Sequence, residues 1–81
     1  MLFQELRELE KLLDKYNERI AGEKAEFWFP HMYSDGKWSV TIVFNQNPIL
    51  YEMSEMLASC YYHNLYAFFG QLNGDIALFI Q

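Results

Sequence analysis

The sequence predicts an α+β fold, a two-layer sandwich in the order α-β-β-α-β-β, with two helices on one face of a four-stranded, mostly antiparallel sheet. Three observations carry this expectation. Apolar residues recur at alternating steps of four and three from Leu2 to Ile20. Asp35-Gly36 and Asn73-Gly74 each lie between runs rich in aromatic and aliphatic residues. Between them, Asn47-Pro48 opens a second helical pattern. At 81 residues and 52% hydrophobic content, the chain is read as one domain, residues 1–81, around one core.

The first helix is carried by Leu2, Leu6, Leu9, Leu13, Tyr16 and Ile20, with Phe3 and Leu12 widening the stripe and charges on the opposite face. Gly22 stands where a left-handed C-terminal cap is expected. Packing against a sheet is favoured over a coiled coil, because the seam is shorter than three heptads.

Asp-Gly suits a type I′ turn, whose two central residues need positive φ. A two-residue turn on Asp35-Gly36 pairs Tyr33 with Trp38, His31 with Val40, Phe29 with Ile42 and Phe27 with Phe44, all on one face. The other face then carries Met32 with Ser39, Pro30 with Thr41, Trp28 with Val43 and Glu26 with Asn45. Pro30 has no N–H for a ladder, so this strand is expected at an edge or bulged.

For the second helix, Asn47 is the expected N-cap and Pro48 the first helical residue. Leu50, Met53, Leu57 and Cys60 or Tyr61 mark its buried face, with Tyr51, Glu52, Glu55, Ser59 and Tyr62 outward. It ends near His63-Asn64 or runs on to Phe69 with Gly70 as cap. A turn on Asn73-Gly74 sets Phe68 against Phe79, Phe69 against Leu78 and Ala67 against Ile80, which leaves both faces of this hairpin apolar. The two αββ halves share an order of elements but almost no residue identity, and are not read as a repeat.

Charge is unevenly placed. Residues 1–26 hold twelve of the seventeen charged side chains, and residues 27–81 hold thirteen of the fifteen aromatics. A net charge of −5 argues against electrostatic binding of nucleic acid. Stacking on aromatics meets the same objection, because residues 27–81 carry one lysine and no arginine. An acidic mimic of DNA is disfavoured too, since bases interleave with the acids through residue 26. No apolar run approaches the roughly eighteen residues of a membrane span, and the N-terminal residues lack the pattern of a signal peptide. A cytoplasmic location with no membrane partner is the resulting expectation.

Chemistry is sparse. Cys60 and His63 have the spacing of half a zinc site, but His31 is the only further nitrogen or sulfur ligand, so neither metal nor cofactor is expected. Glu55, Ser59 and His63 form a stripe along the second helix, yet a nucleophilic triad needs the histidine between the other two. Glu52 and Glu55 lack an apolar pocket to raise a carboxyl pKa. The four glycines are isolated and form no phosphate-cradling loop. The chain is therefore not expected to be an enzyme.

A small acidic protein-binding module, acting by contact, is the leading functional expectation. No family motif is present; in general type, a short, acidic, aromatic-rich chain resembles inhibitors and immunity-type accessory proteins of bacteria and phage. The expected partner-binding face carries Trp28, Pro30 and Met32 with Thr41 and Val43 across the ladder. A dimer surface is expected at Phe68, Phe69, Leu78, Phe79 and Ile80, with self-pairing through the last strand. A self-associating homodimer without another partner is the alternative, and a small-molecule binder with a pocket between helix and sheet ranks below it.

Overall fold

The computed structural model describes residues 7–21, the backbone of 26–28, and residues 40–81. Along the chain lie α1 (Arg7–Ile20), β1 (Glu26–Trp28), β2 (Val40–Phe44), α2 (Leu50–Tyr62), β3 (Ala67–Leu72) and β4 (Asp75–Ile80). The fold is α+β, with two helices and an antiparallel sheet. Strands β2, β4 and β3 form the body of the sheet, and β1 adds a strand of only three described residues, giving the order β1-β2-β4-β3.

In α1 the periodicity acts as expected. Leu9, Leu13 and Tyr16 are buried, and Leu12 and Ile20 pack against the same core. Leu2, Phe3 and Leu6 lie outside the described residues. The left-handed residue at the end of this helix is Ala21, at φ 48°, whose N–H donates to the Asn17 carbonyl at 3.1 Å. The cap therefore falls one residue before Gly22, on a side chain that pays about 1–2 kcal/mol for that conformation.

Helix α2 starts later than Asn47-Pro48 suggests. Its N-cap is Ile49, whose backbone N–H donates to Glu52 Oε1 at 2.8 Å. Ile49 offers no side-chain acceptor in return, so this is only half of a capping box. Pro48 is instead buried ahead of the helix. The buried face is centred on Met56 and Cys60. Leu50, expected inside, is exposed, because at about 100° per residue it lies a third of a turn around from Met56.

The helix ends at Tyr62 rather than running on to Phe69. Asn64 takes φ 59°, its N–H donates to the Tyr61 carbonyl, and Leu65 N–H donates to Cys60. This is a Schellman cap with Asn in the left-handed position, and the buried Leu65 completes its apolar contact.

The second hairpin has the expected register, with Ala67 opposite Ile80, Phe68 opposite Phe79 and Phe69 opposite Leu78. Asn73 and Gly74 both have positive φ, at 52° and 87°, as a type I′ turn requires. The first hairpin differs. Trp28 pairs with Thr41 rather than Val43, Phe27 with Ile42 rather than Phe44, and Glu26 with Val43 rather than Asn45. The register is shifted by two residues, which preserves the faces and changes the partners. Twelve residues separate Trp28 from Thr41, so a two-residue turn on Asp35-Gly36 would divide the rest into six on one arm and four on the other. Pro30, which cannot donate to a ladder, belongs to the longer arm. The turn itself, and the pairs from Phe29, His31 and Tyr33, lie outside the described residues.

One core joins both helices to one face of the sheet: Leu9, Leu13 and Tyr16 from α1, Met56 and Cys60 from α2, and Val40, Ile42, Phe44, Leu78 and Ile80 from the strands. Phe44 stands at its centre, with the Tyr16 ring edge-on at 5.1 Å and the Phe69 ring at 6.1 Å. The Tyr16 hydroxyl donates to the Gln46 carbonyl, so this fully buried ring carries no orphan polar atom; burial nevertheless raises its pKa. The helices run antiparallel. Arg19, near the end of α1, meets Glu52 at the start of α2, and Glu8 at the start of α1 meets His63 at the end of α2.

Candidate interaction surface

Two residues of the Glu55, Ser59 and His63 stripe are engaged outside it. His63 Nε2 lies 3.2 Å from Glu8 Oε2, and Tyr51 hydrogen-bonds Glu55, which raises the tyrosine pKa. Glu55, Ser59 and His63 are thus not joined into a relay. Cys60 is a free buried thiol whose pKa burial pushes up to about 11, far from the range of a reactive thiolate. Among the described residues, no group of three or more His, Cys, Asp or Glu side chains is placed to hold a metal ion. His31 lies outside the described residues.

A cavity of about 190 Å³ lies between the helices, lined by Leu12 and Met56 with Lys15, Arg19, Glu52 and Glu55 around them. Arg19 grips Glu52 through two hydrogen bonds of 2.7 and 2.8 Å, which holds the Glu52 carboxyl below its ordinary pKa. The space is smaller than the roughly 300–1,000 Å³ of a typical small-molecule site, and it lies between two helices rather than between helix and sheet.

The expected partner-binding face is placed differently from its sequence reading. Thr41 and Val43 are 8% and 6% exposed, so neither offers contact area, and β2 is buried along its whole length. Trp28 stands opposite Thr41 in the ladder, while Pro30 and Met32 lie outside the described residues.

The expected self-association residues also separate. Leu78 and Ile80 are core, Phe69 packs on the core beside Phe44, and Phe79 is half-buried. Only Phe68 is exposed, with its ring stacked on Phe79 at 5.2 Å. The last strand cannot pair with another chain through its edge, because β4 is bonded to β2 on one side and β3 on the other. Among the described strands it is β3 that ends the sheet there.

Tyr66 and Gln81 exchange both backbone hydrogen bonds, at 3.3 and 2.8 Å. Counting by two, Phe68, Gly70 and Leu72 also bond toward β4, and Ala67, Phe69 and Gln71 turn their N–H and C=O groups to the outer edge. The Tyr61 hydroxyl confirms this geometry by donating to the Ala67 carbonyl at 3.2 Å. Around this edge Tyr61, Tyr66 and Phe68 are between 47% and 64% exposed, while Tyr62, 79% exposed, points about 100° further around α2 from Tyr61. Tyr66 and Phe68 are in ring contact at 5.9 Å, and Tyr62 stands edge-on to His63. No Asp, Glu, Lys or Arg occurs from Met56 to Gly74.

Sequence reasoning missed this cluster as a unit. Tyr62 was legible as outward, but Tyr61 reads equally as buried, and nothing local in sequence shows that the third strand ends the sheet. No protein-family model, curated protein or solved structure gives a significant match to the chain.

Proposed function

We propose that this chain is a protein-binding module without catalytic activity, acting by contact through the edge at which β3 ends the sheet among the described strands. The observation that carries this reading is a strand edge with no partner strand among the described residues, free of charge and flanked by the exposed rings of Tyr61, Tyr66 and Phe68. Native sheets usually protect such edges with charges, proline, bulges or a covering segment. Strand addition would use the outward backbone groups for affinity and the flanking rings for selectivity. Tyrosine and phenylalanine are also the residue types that supply large contact area at interfaces.

An inhibitor or immunity-type accessory role, of bacterial or phage kind and in the cytoplasm, is the form of contact we propose. Small size, an acidic balance and the unassembled chemistry of α2 support it. No helix among the described residues is long and apolar enough to cross a membrane.

The test places a photo-crosslinking amino acid at Tyr66, and in parallel at Lys11 on the charged face of α1, in cells of the source. Discrete protein adducts at position 66 that disappear in Gln71→Pro are the expected result. Gln71 points its N–H outward, so the proline removes no bond to β4. Adducts that ignore the proline, or equal labelling at both positions, would sink the reading.

A further inference from the structure

Resting on that reading, we infer that the strand which occupies this edge is β3 of a second copy, giving a two-fold symmetric dimer whose sheets join across antiparallel β3 strands. Backbone geometry supplies the first argument. An antiparallel edge is its own complement, so a pairing centred on Phe69 sets Phe69 against its counterpart and Ala67 against the second copy's Gln71. That register uses the outward groups of Ala67, Phe69 and Gln71 together, the Ala67 carbonyl offering its second lone pair beside the Tyr61 hydroxyl. On the face away from the helices it places Phe68 beside the second copy's Gly70, which presents no side chain.

Electrostatics gives the second argument. Each copy carries −5, and most of its charge lies in α1 and the residues around it. The uncharged stretch from Met56 to Gly74 lets two such copies meet without placing like charges opposite one another.

Area gives the third. Taking about 200 Å² for a fully exposed aromatic side chain, the exposed fractions of Tyr61, Tyr66 and Phe68 amount to about 340 Å² per copy. A standard interface covers about 800 Å² per partner, so these three residues supply roughly two fifths of it before the strand edge is counted.

The test is sedimentation velocity of the full chain from low to high micromolar concentration, comparing wild type with Gln71→Pro and Gln71→Lys. Circular dichroism confirms that each variant folds. Wild type should rise from 9.7 kDa to twice that mass, while both variants stay at the lower value. In wild type, amide exchange at Phe69 and Gln71 should slow with concentration. The lysine substitution decides the matter if the proline variant does not fold, since it leaves the backbone intact and adds a charge to the edge. A wild-type mass of 9.7 kDa throughout would overturn the inference, as would a dimer that survives Gln71→Lys. A monomeric wild type whose crosslinks at position 66 still vanish in Gln71→Pro removes the second copy alone and leaves the contact reading standing.

Discussion

The two αββ halves use the same order of elements and the same turn chemistry, yet only one of them keeps the register that its turn dictates. In the C-terminal half, Asn73-Gly74 has positive φ at both positions, and every pair from Leu72–Asp75 to Ala67–Ile80 follows from it. In the N-terminal half, the register between Glu26–Trp28 and β2 is two residues away from the one Asp35-Gly36 implies. The second hairpin has six-residue strands joined directly by the turn. The first has twelve residues between Trp28 and Thr41, among them a proline that can donate no ladder bond. A turn dipeptide governs the register of the pairing directly beside it, and in the second hairpin that pairing runs unbroken through six pairs.

The largest expected effect tests whether the halves share one core. Phe44 is fully buried where α1, β2 and β3 meet, in contact with Tyr16 from one half and Phe69 from the other. Phe44→Ala should cost about 3–5 kcal/mol in urea denaturation, a large part of what a domain this size possesses. Phe68→Ala, at an exposed ring stacked on Phe79, should cost much less. Equal costs would mean that the two halves do not depend on a common core.

A smaller effect bears directly on register. Gly74 is at φ 87° with open space around its Cβ direction, so Gly74→Ala should cost about 1–2 kcal/mol through backbone conformation alone. The observed pairs of the first hairpin are centred on Ser34-Asp35, not on Asp35-Gly36. Gly36→Ala should therefore cost clearly less than Gly74→Ala in the same denaturation series. Comparable costs would assign the type I′ turn to Asp35-Gly36 after all, with the two extra residues in the arm that contains Pro30.

Local chemistry was legible in the sequence, and non-local chemistry was not. The α1 stripe, the end of α2 near His63-Asn64, the turn on Asn73-Gly74 and the register of β3 on β4 follow from periodicity and turn residues. Asn47-Pro48 misled because proline at the first helical position is a preference, and a Glu three residues after Ile49 provides another way to begin the helix. Ala21 holds a left-handed position that residue preference would assign to Gly22. Strand order was the decisive omission. Both strands of an apolar hairpin look alike in sequence, and only the pairing of β4 with β2 makes β4 interior and leaves β3 at the end of the sheet among the described strands. For that reason the candidate surface keeps Phe68, loses Leu78 and Ile80 to the core, and gains Tyr61 and Tyr66.

The smallest expected effect concerns the pin between the halves at Arg19 and Glu52. The Glu52 side chain is only 13% exposed and accepts from both Arg19 nitrogens and from the Ile49 N–H. Bonding to Arg19 lowers the carboxyl pKa in the folded chain relative to its ordinary value. The unfolded state therefore takes up a proton at a higher pH than the folded state does. Stability from this group is present above the ordinary carboxylate pKa and is lost as pH falls through the lower folded value. Glu52→Gln keeps an oxygen that can accept from Ile49 but removes the titration. Its urea midpoint should fall slightly at neutral pH, by less than that of Gly74→Ala, because Arg19 is partly exposed and solvent screens the pair. Between neutral and acid pH, the variant should then lose less stability than wild type. An acid limb identical in the two proteins would show that the pin contributes nothing to holding α1 against α2, leaving that packing to Leu12, Met56 and the shared core.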